Sequence, residues 1–122
     1  MRQVHFYADG SGYCIVRVTT PSTFSETSSS HDYIIDPLGS AGNNGRYIIN
    51  FNTDDRFDGC SITDVAIDTN GRDLNYDELG GTVNSSNLPS SGGSVTIVRG
   101  DERYRIEISP FTGKLTVRRL SS

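Results

Sequence analysis

The chain has 122 residues and a formal net charge of −4, which fits a single domain, because two independent cores of that size would each lie near the lower limit of self-sufficiency. Leu, Ile, Val and Phe number 29, too many for a disordered chain of this modest charge. The longest apolar run, Tyr13 to Val16, is four residues, far short of the roughly 20 that a membrane-spanning helix needs.

Ile, Val and Thr total 29 against 16 for Ala, Leu, Glu, Lys, Gln and Met together. Branched side chains lose rotamer freedom in a helix and pack well on a pleated surface. The expected fold class is therefore mainly β, an antiparallel β-sandwich or two packed sheets spanning residues 1–122. In chain order, Val4–Ala8 and Tyr13–Val18 flank Asp9-Gly10-Ser11-Gly12 and predict a hairpin. A Ser/Thr tract from Thr19 to Ser30 and a loop from Pro37 to Gly45 surround the short apolar piece Tyr33-Ile34-Ile35, and neither tract is expected to build core. Tyr47–Phe51 resumes strand character, and Ile62–Asp68 alternates until Asn70-Gly71, a strong turn dipeptide. Leu74 to Gly93 reads as a polar surface excursion in which only Val83 hints at pairing. Val95–Val98, Tyr104–Ile108 and Leu115–Arg118 then predict a three-strand antiparallel meander. With Pro110–Gly113 as the last turn, Ile108 faces Leu115 and Ile106 faces Val117 on a core face, while Glu107 faces Thr116 and Arg105 faces Arg118 on the other. The Arg–Arg pair calls for an anionic neighbour, from another subunit or from this chain.

Charge is unevenly laid out. Residues 1–98 carry five Arg and twelve Asp or Glu, and residues 99–122 carry six Lys or Arg and three Asp or Glu, so the two parts read −7 and +3. Such a dipole can bias self-association or attract a partner. Arg99, Arg103, Arg105, Lys114, Arg118 and Arg119 are candidate contacts for a partner or an anion. Nucleic acid is disfavoured, since only Tyr104 supplies an aromatic among them and stacking platforms need more. Cys14 and Cys60 are 46 residues apart, which fits neither a CxxC motif nor a zinc ligand set. One structural disulfide is expected, and with it an oxidising compartment; two separate buried thiols are the alternative.

Little points to chemistry. His31 beside Asp32 in the Ser28–Ser30 tract lacks the rigid scaffold and elbow sequence that a nucleophile requires, so no catalytic residue and no cofactor is assigned. Asp68, Asn70, Asp73, Asp77 and Glu78 crowd oxygen atoms into a turn and make calcium the one candidate ion. The glycine is misplaced for an EF-hand and Arg72 sets a cation in the loop, so a turn with solvated carboxylates is the leading reading. Asp54, Asp55 and Asp58 form a second acidic cluster of the same kind. Asn84-Ser85-Ser86 matches a glycosylation acceptor, relevant in a eukaryotic secretory host.

Three features in order carry a resemblance: the early strand pair, the central Val65-Ala66-Ile67-Asp68-Thr69-Asn70-Gly71-Arg72, and the closing Arg105-Ile106-Glu107-Ile108-Ser109-Pro110-Phe111-Thr112-Gly113-Lys114-Leu115-Thr116-Val117. Over residues 62–119 the chain resembles the globular part of type IV pilin-like proteins, the minor pilins and type II secretion pseudopilins of the H-like group. The resemblance implies a β lobe without active site or cofactor that packs on a bundle of apolar helices, its own N-terminal helix lying ahead of this sequence and being its only tie to a membrane. It implies other pilin or pseudopilin subunits as partners and a place in the periplasm or on a cell-surface filament. The cysteine positions do not match the C-terminal disulfide loop of major pilins, which favours a minor subunit. The alternative from another class is a free-standing extracellular module that binds carbohydrate, calcium or DNA through its Ser-rich and acidic loops.

Overall fold

The computed structural model describes residues 1–28, 30–38 and 45–120. Its strands are β1 (Arg2–Phe6), β2 (Gly12–Arg17), β3 (Asp32–Tyr33), β4 (Ile48–Asn50), β5 (Cys60–Ile67), β6 (Asp73–Tyr76), β7 (Thr82–Val83), β8 (Gly93–Arg99), β9 (Glu102–Ile108) and β10 (Leu115–Leu120), with a 3-10 turn at Asp55–Phe57. One sheet runs β3-β2-β1-β6-β7, with β4 also on β2, and the other runs β10-β9-β8-β5. All pairings are antiparallel. The two sheets pack face to face as a β-sandwich, as composition predicts.

Period-2 alternation sends Leu74, Ile49 and Phe51 inward from the first sheet and Ile62, Ile67, Val95 and Ile108 inward from the second, forming the main core. Fully burying one such side chain stabilises by roughly 2 kcal/mol. A bulge between Ile62 and Asp64 inserts Thr63, so Ile62 and Val65, three apart, both point into the sandwich. At the β1–β2 turn, Gly10 O accepts from Ile62 N at 3.0 Å. Gly10 has φ +78°, and a Cβ there would stand 2.3 Å from Ile62 O, so only glycine lets this turn touch β5.

The closing meander has the predicted register, with Leu115 opposite Ile108, Val117 opposite Ile106 and Arg118 opposite Arg105. Its face is core only in part. Ile108 is 5% exposed, but Leu115 and Val117 are 54% and 66% exposed, so the core face ends before β10. The anionic neighbour of Arg118 belongs to this chain, Glu107 Oε1 at 3.5 Å from Nε.

Two expectations are corrected. The stretch from Leu74 to Gly93 is not only a surface excursion: it opens within β6, which lies between β1 and β7 with Leu74 and Asn75 buried. The Ser/Thr tract does build core, since Phe24 is buried with Cys14 and Val16 on the outer face of the first sheet. That sheet is therefore covered on both sides. The expected loop between Pro37 and Gly45 falls on residues 39–44, outside the described residues; at its ends Asp36 N donates to Gly45 O at 2.8 Å and Ile35 bridges Arg46.

Candidate functional site

On the outer face of the first sheet, His5 of β1 stands beside Asp73 of β6, its register partner. His5 Nδ1 lies 2.6 Å from Asp73 Oδ1 and Nε2 lies 2.7 Å from Glu26 Oε2, so a charged ring donates to both carboxylates. Glu26 comes from the Ser/Thr tract, where Glu26 Oε2 also accepts from Ala8 N and Asp73 Oδ2 accepts from Phe24 N. Gln3 Nε2 donates to Ser22 O at 2.6 Å and to Asn75 Oδ1 at 3.0 Å. The Phe24 ring lies between two imidazoles, 4.3 Å from His5 and 3.9 Å from His31, both stacked.

Burial opposes a charge on His5, which is 4% exposed, but its hydrogen bonds to Asp73 and Glu26 outweigh it and hold the imidazole pKa above its ordinary 6.5. For Glu26, burial also works against ionisation, and the bonds from His5 and the Ala8 amide prevail and lower its pKa. Both ring nitrogens are thus engaged by carboxylates, and the charged ring is the form that can donate to both. Beside the clamp, Glu26, Asp68, Asn70, Arg72, Asn75 and Ser85 help to line a cleft of about 470 Å³.

The predicted site residues are not gathered together. Asp68, Asn70 and Asp73 line this cleft, whereas Asp77 and Glu78 sit at the β6–β7 turn beside Met1 and Val18. Asp68 Oδ1 accepts from Ser90 and Ser91, Asp73 uses both oxygens on His5 and Phe24 N, and Asp77 Oδ1 caps Leu79 N and Gly81 N. Among the described residues no group of three or more His, Cys, Asp or Glu is arranged to hold a metal ion. Asp68 and Asp77 thus brace turns, and Asp73 serves the clamp. In the second acidic cluster, Asp54 is engaged by Arg56 at 2.6 Å.

The basic residues divide between two faces. Arg103, Arg105 and Arg118 share the outer face of the second sheet, while Arg99 and Arg119 lie with Glu102 and Tyr104 on the other, and Lys114 closes the last turn opposite Ser109. His31 Nε2 donates to Ser25 O, and Asp32 pairs with Arg17 at 3.6 Å, so these two groups do not form a relay; Ser29 lies outside the described residues.

The expected disulfide is absent: Cys14 and Cys60 are free thiols. Strand alternation explains why. Cys14 points outward from the first sheet under Phe24, whereas Cys60 begins β5 in the second sheet and packs against the main core. The backbone layer of the first sheet lies between them. Burial pushes the Cys14 thiol up to about 11, the reverse of what a nucleophile needs. The residue-based argument for an oxidising compartment falls with the disulfide.

The clamp is invisible to motif reading, because its members are 21 and 68 residues apart from His5. A signal existed in Phe24 and Glu26, one aromatic and one acid inside an otherwise Ser/Thr-rich tract. No family model matches the chain, and neither a curated protein nor a solved structure matches it.

Proposed function

We propose that this chain is a non-enzymatic structural subunit, a minor pilin or pseudopilin of a type IV pilus or type II secretion-like filament. The observation that carries the reading is β10. On the same sheet face that buries Val95 and Ile108 to 1% and 5% exposure, Leu115 and Val117 stand 54% and 66% exposed. Exposed apolar side chains that continue a core face are typical of contact surfaces. In the resemblance at residues 62–119, an apolar helix of the filament is what such a face meets. The double clamping of His5 and the raised Cys14 pKa also favour a structural role over a catalytic one.

The test is made on the native polypeptide. Its intact mass and N-terminal sequence are expected to reveal an apolar segment of about 25 to 35 residues led by a prepilin cleavage site, long enough to cross a bilayer. Replacing Leu115 and Val117 by Asp is expected to abolish incorporation into filaments while the isolated domain stays folded. A native start at Met1, or undisturbed incorporation of the double variant, overturns the reading and puts the extracellular binding module first.

A further inference from the structure

The Ser22–Ser28 segment is tied down by few bonds among the described residues, and the one from His5 to Glu26 depends on a proton. Gln3 to Ser22 O is a neutral bond. The other ties are the Glu26 bonds to His5 and Ala8 N, the Asp73 bond to Phe24 N, the His31 bond to Ser25 O, and the stacking of Phe24 on His5 and His31. The two carboxylates are separated only by the width of one imidazole. A charged ring donates to both; a neutral ring has a single N–H and turns a lone pair toward the other carboxylate. Of the two, Asp73 is fixed in β6 with its side chain 14% exposed, and Glu26 is 36% exposed on the loop. Glu26 is the group that can leave.

We propose that Ser22–Ser28 is a proton-operated strap, closed over the outer face of the first sheet while His5 is an imidazolium between Asp73 and Glu26, and lifted when that proton departs. The groups facing His5 fix the direction. Asp73 comes from β6, Cys14 from β2, Tyr7 from the end of β1, and Glu26 from the strap, with His31 beyond Phe24. Asp68 and Arg72 line the adjoining cleft. Two carboxylates touch the ring, and the Arg72 guanidinium is turned to Tyr7 O at 3.2 Å.

The sign follows. The His5 pKa is raised in the folded protein, so its contribution to closure is complete below its unfolded value and is lost as pH rises through the folded one. The Glu26 pKa is lowered, so its contribution exists above its unfolded value and is lost as pH falls through the folded one. Closure is strongest between these limits and weakens on the alkaline side above 6.5, as pH passes through the folded value of His5. Lifting the strap uncovers Cys14, which is fully buried when it is closed.

The experiment uses the Cys60→Ser protein, in which Cys14 is the sole thiol. His5 titration and the amide signals of Ala8 and Phe24 are followed by NMR, alongside Cys14 alkylation scaled at each pH to that of the unfolded chain. The expected result is one shared midpoint for His5, both amides and Cys14 protection. Glu26→Gln, at an accessible position, is expected to move all of these to lower pH by about one unit. Amides and Cys14 protection that stay unchanged through the His5 titration overturn the proposal. So does a Glu26→Gln variant that shifts His5 without shifting the opening.

Discussion

Replacing Phe24 by Ala separates the strap from the sandwich. The ring is 7% exposed, and its two faces lie 4.3 Å from His5 and 3.9 Å from His31. Transfer of a Phe side chain is worth roughly 1.5–3 kcal/mol, and in a rigid core the cavity raises the cost of Phe→Ala to about 3–5 kcal/mol. Here the loss is capped. A segment that can lift locally does not pass on to the whole fold more than its own opening free energy. The strap can also settle into the space, so the expected global loss is about 2 kcal/mol, which for a domain of this size lowers Tm by roughly 8 °C. Phe51→Ala, in the inter-sheet core at 5% exposure, has no such escape and is expected to cost about 3–5 kcal/mol. Denaturant unfolding of both variants, together with Cys14 alkylation in the Cys60→Ser background, measures the two terms. Phe24→Ala should leave Cys14 open while the sandwich remains folded. If the two substitutions cost the same, or if Cys14 stays protected in Phe24→Ala until global unfolding, the strap is not a separate layer and the reasoning fails.

Other outcomes follow from single features. Thiol titration in denaturant should give two free thiols, and a reductant should leave Tm unchanged; a reductant-dependent Tm contradicts the separation of Cys14 and Cys60 on different sheets. Gly10→Ala should cost well over 1 kcal/mol, because its Cβ meets Ile62 O at 2.3 Å and φ is +78°; a neutral effect in thermal unfolding rules out that contact. Thr69 is β-branched at φ +85°, so Thr69→Gly should stabilise by about 1 kcal/mol through relief of strain, and a loss of Tm contradicts this. Arg118→Glu together with Arg105→Glu should change stability by less than about 1 kcal/mol, since Arg118 is 64% exposed and its pair with Glu107 is long. The same double variant is expected to impair filament assembly, scored by pelleting; normal assembly removes that face from the subunit contact.

Legibility in the sequence followed contact distance. The three strands of the meander were readable to within two residues at their ends, and the register of its last hairpin to the residue, because β9 pairs with β10 through a short turn that Ser109 and Lys114 close. The turn after Ile67 was readable as a turn, but its positive φ values fall on Asp68 and Thr69 and not on Asn70-Gly71, because Ile67 pairs with Gly71 across a three-residue loop. Asp73–Tyr76 was missed as a strand because its polar outward residues, Asp73 and Asn75, are matched by His5 and Gln3 on a distant strand. A polar face covered by a polar loop leaves no hydrophobic pattern to read. The clamp was missed for the same reason, and the cysteine pair was misread because spacing alone carries no information about which face of a strand each thiol occupies.

The two rims of the second sheet differ in kind. The β5 rim is stitched to its own chain through Ile62 N to Gly10 O and the paired bonds between Ile67 and Gly71, so no foreign strand can line up along it. Among the described residues the β10 rim has no such cover, and six residues of backbone lie open there. What guards it is cationic repulsion from Lys114, Arg118 and Arg119, the kind of gatekeeping by which exposed edges resist cross-β stacking. High salt or anionic polymers, by muting those charges, should therefore shorten the colloidal lifetime of concentrated solutions well before they affect the fold.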